Sequence, residues 1–430
     1  MSLYLGIDFG TSGARCAVID SFEKIQATGR YPFDIAACGV PTSWQEALFS
    51  LFEQIPLLLR QDVEAIAING TSSTVMLCDA TGKPVDAPLL YNDPRGAVML
   101  EKLYEIAPPQ HTVLNTTSSL VKLLWMLQLP SAIKAKHLLH QADWLAFLLH
   151  GVIGISDYHN ALKLGYDVDN LNYPKWLEKL NLAVELPQVL TPGSVIAPVL
   201  PEIINRYGFS RSCVVCAGTT DSIAAFIASG ATKPGEGVTS LGSTLAIKLL
   251  SHKKIENSQY GIYSHRFPNF RKQDTQQKLW LVGGASNTGG AVLRQFFSSD
   301  ELESLSSKID ATKTSHLDYY PLIKPGERFP INDDSLKPRL EPRPNDDVEF
   351  LHGLLESIAR IEARGYELLQ QFGANTLSRV YTAGGGAANK AWTEIRRRYL
   401  RVAVQASINT EAAYGTALLA KLGRQGLEAY

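Results

Sequence analysis

The chain has 430 residues, enough for two or three domains at roughly 150 residues each. Its 45% hydrophobic and 19% charged residues exclude wholesale disorder and collagen-like repetition. With 41 basic against 42 acidic side chains, no global field draws it to nucleic acid or an anionic membrane, so an anionic ligand must be held by local geometry.

In chain order, residues 1–8 lack the basic segment and long apolar run of a signal or transit peptide. Residues 3–9 read as a strand, Gly10-Thr-Ser-Gly13 as a tight turn and 14–20 as the returning strand of a hairpin. A helical pattern covers 44–59, followed by strands at 63–69 and 75–79. Residues 96–150 are mostly helical, with amphipathic stretches at 118–129 and 142–150, and 151–210 are irregular. A buried strand follows at 213–217. Its Cys213 and Cys216 sit three residues apart, on opposite faces, and so read as core residues rather than metal ligands. Five cysteines do not make a disulfide scaffold. With no run of 18 apolar residues to span a bilayer, the expectation is a reduced, cytoplasmic α/β protein.

Gly218-Thr-Thr-Asp221 leads into a small-residue helix at 222–229, and Lys233-Pro-Gly-Glu236 marks a boundary. Residues 239–248 then repeat the strand–Gly/Ser/Thr turn–strand layout of 7–18, and both halves continue in alternating strands and helices. That predicts two related α/β domains, 1–228 and 229–430. A Pro-rich charged loop (324–347) precedes a long helix at 348–372, a strand at 379–383, Gly384-Gly-Gly386 and a helix at 389–400. A short strand at 402–406 and a helix at 411–422 end the pattern.

The chemistry concentrates in the turns. In Asp8-Phe-Gly-Thr-Ser-Gly13, backbone N–H groups and the hydroxyls of Thr11 and Ser12 can approach phosphate oxygens. Asp8, at the end of the strand, can hold Mg²⁺ through water; the segment also reads as a plain polar turn. Ser240-Leu-Gly-Ser-Thr244 repeats that chemistry. Gly384-Gly-Gly386 either lets a flat base or ribose lie on the backbone or is a flexible turn. Asp221 is either a helix N-cap or a general base that takes a proton from a substrate hydroxyl. No G-x-x-x-x-G-K-[ST] is present, which excludes a Walker-type NTPase. The absence of H-R-D with D-F-G argues against a protein kinase. No G-x-G-x-x-G follows a strand, which argues against a dinucleotide fold.

Together, Asp8-Phe-Gly-Thr-Ser12, Gly218-Thr-Thr-Asp221, Ser240-Leu-Gly-Ser-Thr244 and Ala383-Gly-Gly-Gly-Ala-Ala-Asn389 resemble, in order and spacing, the FGGY-family carbohydrate kinases. The resemblance spans essentially the whole chain, and Leu89-Leu-Tyr-Asn-Asp-Pro-Arg95 looks like the family's substrate-side segment. The likeness is greatest to the short xylulose-kinase-like branch of cyanobacteria and plants, whose members resemble D-ribulose kinases. It implies an α/β fold of two ribonuclease-H-like (actin/Hsp70-type) domains around a cleft, sugar on 1–228 and ATP on 229–430. Asp221 matches the catalytic base and Asp8 the carboxylate at the Mg²⁺ and the substrate hydroxyl. Ser12, Gly13, Ala14, Arg15 and Ser72 match the sugar side, together with Asp8 and Asp221. Thr11, Ser243, Thr244, Gly284, Gly384, Gly385, Gly386 and Asn389 match the ATP side. Many xylulose kinases carry Met-His-Gln where this chain has Thr71-Ser72-Ser73, which removes hydrogen-bond donors to a pentulose. The implied reaction is ATP-dependent phosphorylation of D-ribulose to D-ribulose 5-phosphate. The alternatives are D-xylulose, another ketose or a polyol, and an ATP-driven switch of the actin/Hsp70 kind that binds a protein. The expected partners are a small sugar and ATP, not nucleic acid or a membrane.

Overall fold

Residues Leu3–Phe9 (β1) are buried along their whole length because the strand lies inside a sheet, paired on both edges. In this computed structural model, which describes residues 1–34, 38–268 and 277–427, β1 pairs antiparallel with Gly13–Asp20 (β2). β2 pairs antiparallel with Ile25–Pro32 (β3). On its other edge β1 pairs parallel with Val63–Gly70 (β4), and β4 pairs parallel with Val214–Thr220 (β5). The strand order is therefore 3-2-1-4-5, with Val195–Pro198 antiparallel along the edge of β5.

Parallel neighbours need a crossover, and the one from β1 to β4 runs through β2, β3 and helix Pro41–Gln54. It buries Trp44, Ala47, Leu48, Leu51 and Phe52, the i, i+3, i+4, i+7, i+8 stripe of a helix that packs on one face. The sequence pattern runs the helix to residue 59. The structure ends it at Gln54, because Ile55 precedes a proline and is held extended (φ −83°, ψ 128°), and a separate turn of helix covers Leu57–Arg60. β3 carried no sequence signal, being half exposed along an edge.

The second half repeats this layout. Glu236–Leu241 (β6), Leu245–Ser251 (β7) and Leu279–Ser286 (β8) pair antiparallel in succession. Arg379–Ala383 (β9) pairs parallel with β6, and Ala403–Ala406 (β10) parallel with β9. β6 to β10 thus take the places of β1 to β5, with Tyr263–Phe267 added antiparallel to β8. The 25-residue helix Asp347–Gln371 crosses from β8 to β9, burying Leu351, Leu354, Leu355 and Ile358, and Lys390–Leu400 crosses from β9 to β10. These are the two ribonuclease-H-like sheets that the duplicated turn signals.

The chain forms two compact units, Met1–Ala228 with Glu411–Tyr430, and Ser229–Thr410. This corrects the expected boundary at one point: the final helix, Ala412–Leu427, returns to the first unit and packs on β1, β4 and the helix Asp221–Ala228. Two glycines permit that approach. A methyl on Gly6 would stand 2.1 Å from the Ala413 carbonyl, and one on Gly415 would stand 1.9 Å from that of Ala224. Cys213 joins the core cluster of the first unit while Cys216 turns its thiol toward the Ala420 carbonyl at 3.9 Å, so the pair does face opposite ways. Residues 75–184 contribute a second core around Leu103, Leu120, Leu123 and Leu138. Among the described residues no helix is long and apolar enough to cross a membrane.

Candidate active site

In β1, Leu3, Leu5, Ile7 and Phe9 enter the core, so strand alternation puts Asp8 on the opposite face. Its neighbours follow from register. Asp8 lies opposite Arg15 on β2 and Asn69 on β4, and Asn69 lies opposite Thr219 on β5. Asp221 follows two residues later, as the first residue of helix Asp221–Ala228. The two carboxylates thus meet at the C-terminal ends of three parallel strands, the position where open α/β sheets bind ligands.

Asp8 is only 5% exposed. Arg15 Nη1 stands 3.6 Å from its Oδ2, and Arg15 Nε lies 3.6 Å from Glu411. Oδ1 is buried with no hydrogen-bond partner. Burial raises the Asp8 pKa to about 6; the charge of Asp221 adds to the rise and Arg15 opposes it. Asp221 Oδ1 accepts the Ser222 N–H at 2.7 Å, so it sits at a helix start and faces Asp8 as well. Lys163 shares the locality: burial lowers its pKa and the charge of Asp221 pulls it back up. Lys163 had no sequence signal, lying in a stretch without clear periodicity.

Thr11 and Ser12 are exposed at the tip of the β1–β2 hairpin. The turn is closed by the Gly10 N–H to the Gly13 carbonyl at 3.1 Å. A side chain on Gly13 would meet the Tyr31 carbonyl at 2.5 Å. Ala14 departs from expectation. Its side chain is 1% exposed and sits in the core with Phe9, because alternate residues of β2 face opposite ways and Arg15 takes the Asp8 side.

Ser72 is half-buried in the turn that leaves β4. Its neighbours are fixed: the Thr71 N–H and hydroxyl both donate to Gln141 Oε1 at 3.1 Å, and Ser73 is buried at φ +65°. Lys122, fully buried, holds this turn to the 89–95 segment, donating to the carbonyls of Ser73 (2.9 Å), Leu90 (2.6 Å) and Tyr91 (3.1 Å). Burial lowers its pKa to about 7, with Asp93 opposing. In the sequence Lys122 was one polar position in an amphipathic helix, and nothing marked it. Asp93 and Arg95 are spent on each other in a two-pronged ion pair, Nη2–Oδ2 at 2.7 Å and Nε–Oδ1 at 3.0 Å.

In the second unit, the register that sets Ser240 of β6 beside Ala383 of β9 brings two turns together: Gly242-Ser-Thr244 and Gly384-Gly-Gly386. Between them opens a cavity of about 650 Å³ lined by Ser243, Gly385, Gly386, Asn389, Trp392 and Arg294, among others. Gly384, at φ +84°, packs at its edge, where a methyl would stand 2.7 Å from the Leu241 carbonyl. Asn389 accepts the Trp392 N–H at 2.9 Å, capping helix Lys390–Leu400, and donates to Ser306 Oγ at 2.8 Å.

Three expected nucleotide residues, Thr244, Gly284 and Thr11, fall outside the cavity lining. Thr244 is exposed on the hairpin tip. Gly284 lies within β8 under the ring of Phe329, which a methyl would strike at 2.5 Å; its glycine is there for packing. Thr11, the third, belongs to the first unit.

Beneath both turns lies a buried polar network. Arg396 reaches Glu362 with Nε and Nη2 and Thr382 of β9 with Nη1, all at 2.7 Å. Thr239 of β6 donates to the same Glu362 carboxylate.

Among the described residues no group of three or more His, Cys, Asp or Glu side chains stands ready to hold a metal. The partnerless Oδ1 of Asp8 does suit Mg²⁺, which binds through one or two carboxylates plus substrate phosphates rather than in an all-protein cage.

Comparison with known proteins agrees with this layout. Residues 3–228 match the N-terminal domain, and 237–423 the C-terminal domain, of the FGGY family of carbohydrate kinases. A xylulose kinase of Staphylococcus xylosus is 21% identical, aligned over 99% of this chain and 92% of its own length. A xylulose kinase of Streptomyces coelicolor is 26% identical over 59% of this chain and 55% of its own. Among solved structures, a xylulose kinase from Rhodospirillum rubrum superposes with a TM-score of 0.81 at 19% identity, covering 98% of this chain and 90% of that one. Plasmodium falciparum glycerol kinase with ADP gives 0.82 at 18%, covering 100% and 90%. A fold shared by xylulose and glycerol kinases leaves the sugar open. The chain belongs to the FGGY family of carbohydrate kinases.

Proposed function

We propose that the protein is an ATP-dependent pentulose kinase that converts D-ribulose to D-ribulose 5-phosphate. The carrying observation is the Asp8–Asp221 pair at the strand ends, with a buried Asp8 oxygen left without a partner. In this reading Asp221 orients the terminal hydroxyl of the sugar and takes its proton, with the positive charges of Lys163 near Asp221 and of Arg15 beside Asp8. Asp8 holds Mg²⁺, which supplies positive charge to the phosphates of bound ATP. The Ser243 turn and the backbone of Gly385 and Gly386 hold the nucleotide, and transfer needs the γ-phosphorus in line with the hydroxyl at Asp221.

Support for D-ribulose comes from the turn after β4. Thr71 is engaged by Gln141 and Thr74 and Ser73 is buried, which leaves Ser72 as the accessible hydroxyl and no imidazole or amide in Thr71-Ser72-Ser73. D-xylulose is the second reading, favoured by the names of the curated relatives.

The test is ADP release across a panel of pentuloses and polyols, with D-ribulose expected to accelerate it most. If no sugar raises ADP release above the sugar-free rate, the kinase reading fails and the ATP-driven switch takes its place. Asp221→Asn should abolish sugar-dependent turnover while ATP still binds; a variant that keeps most of its turnover removes Asp221 as the base.

A further inference from the structure

Arg294 follows the short helix Gly290–Leu293, and its side chain reaches back to the β6–β7 turn, where Nη2 donates to Ser243 Oγ at 2.9 Å. The turn is held against this segment by its backbone, Gly290 N–H to Gly242 O at 2.9 Å and Ala291 N–H to Ser243 O at 3.0 Å. Arg294 is exposed and lines the cavity, as does Glu303, and it forms no ion pair with a carboxylate among the described residues.

A guanidinium offers five donors in a fork shaped for oxyanions. Here one donor is spent on Ser243. That bond fills an acceptor position of the serine oxygen and leaves the hydroxyl proton free to be donated outward. The remaining Arg294 donors and the Ser243 proton therefore lie side by side at the wall of a cavity that is also lined by the bare backbone of Gly385 and Gly386, with Glu303, Asn389 and Lys390 among its other side chains.

We propose that Arg294 is a nucleotide-binding residue that grips a phosphate oxyanion together with Ser243. This rests on the kinase reading, since it takes the cavity to be the nucleotide site. A cation there discriminates ligands by phosphate number rather than by base.

The test is direct binding, without sugar or turnover: calorimetric titration of ADP, AMP and adenosine into wild type, Arg294→Met, Arg294→Lys and Lys390→Met. Lys390 lines the same cavity and makes no bond to Ser243, so it controls for loss of charge alone. Losing a charge-assisted hydrogen bond predicts a loss of about 10- to 100-fold for ADP in Arg294→Met. Adenosine affinity should move less than about twofold, Arg294→Lys should recover part of the loss, and Lys390→Met should lose less. The proposal is overturned if Arg294→Met binds ADP like wild type, weakens adenosine as much as ADP, or is matched by Lys390→Met. Wild type that fails to bind ADP would instead remove the kinase reading beneath it.

Discussion

Arg396→Met tests the polar network under the nucleotide turns. Arg396 is 0% exposed and Glu362 1%, joined by two bonds of 2.7 Å, with a third from Arg396 to Thr382. Methionine fills much of the volume but leaves Glu362 as a buried charge with only the Thr239 hydroxyl donating to it directly among these partners. Breaking a buried pair from one side costs about 3–5 kcal/mol. The Thr239 hydroxyl still donates to the carboxylate, so the lower end, about 3 kcal/mol, is expected. For a unit of this size each kcal/mol moves Tm by about 2–4 °C, which gives a drop of about 6–12 °C by scanning calorimetry. The double variant Arg396→Met/Glu362→Gln should recover much of it, since no charge is then left uncompensated. A single variant that costs under about 1 kcal/mol, or a double variant no better than the single, would refute this account of the network.

Four further outcomes are expected. Below pH 6, kcat/KM should fall about tenfold per unit as Asp8 is protonated, with raised Mg²⁺ offsetting the fall; a flat profile down to pH 5 removes Asp8 from the chemistry. The same raised pKa means that ionised Asp8 burdens the ligand-free fold above pH 6 and ceases to as pH drops toward 4. Asp8→Asn should therefore stabilise the protein at pH 7.5, by at most about 3 kcal/mol, while abolishing turnover, and thermal melts across that range should show the gain fading in acid. Lys122→Met frees the Ser73 turn from Leu90 and Tyr91, so the KM for sugar should rise about tenfold or more with that for ATP unchanged; equal changes in both would mark general misfolding. Gly385→Val enters open space, with nothing within 4 Å of its Cβ, and should weaken nucleotide binding while Tm stays put.

The elements with strong local signals were legible. The duplicated hairpin turns, the helix Asp347–Gln371 and the strand before Gly384 sit where periodicity and glycine put them. β3 was not, because an edge strand with one buried residue in eight has no apolar alternation to read. The site divides in the same way. Asp8 and Asp221 stand at strand and helix ends, where a lone carboxylate attracts notice, whereas Lys122 and Lys163 gain their meaning only from groups far away in the chain. At Gly284 the sequence is ambiguous, since a glycine kept for a neighbouring aromatic ring and one kept for a ligand look the same there. Ala14 lies in the core for a plainer reason: a motif names consecutive residues, and a strand turns every second one inward.

The return of Ala412–Leu427 to the first unit bears on how the protein is made. During synthesis the residues of the first sheet emerge early, but the helix that covers β1 and β4 emerges only after the whole second unit. That face, with Gly6 bared, must wait through the translation of the whole second unit, which can finish folding on its own schedule. An isolated 1–228 fragment should accordingly be prone to aggregate, and adding 411–430 back through a short linker in place of the second unit should restore its solubility.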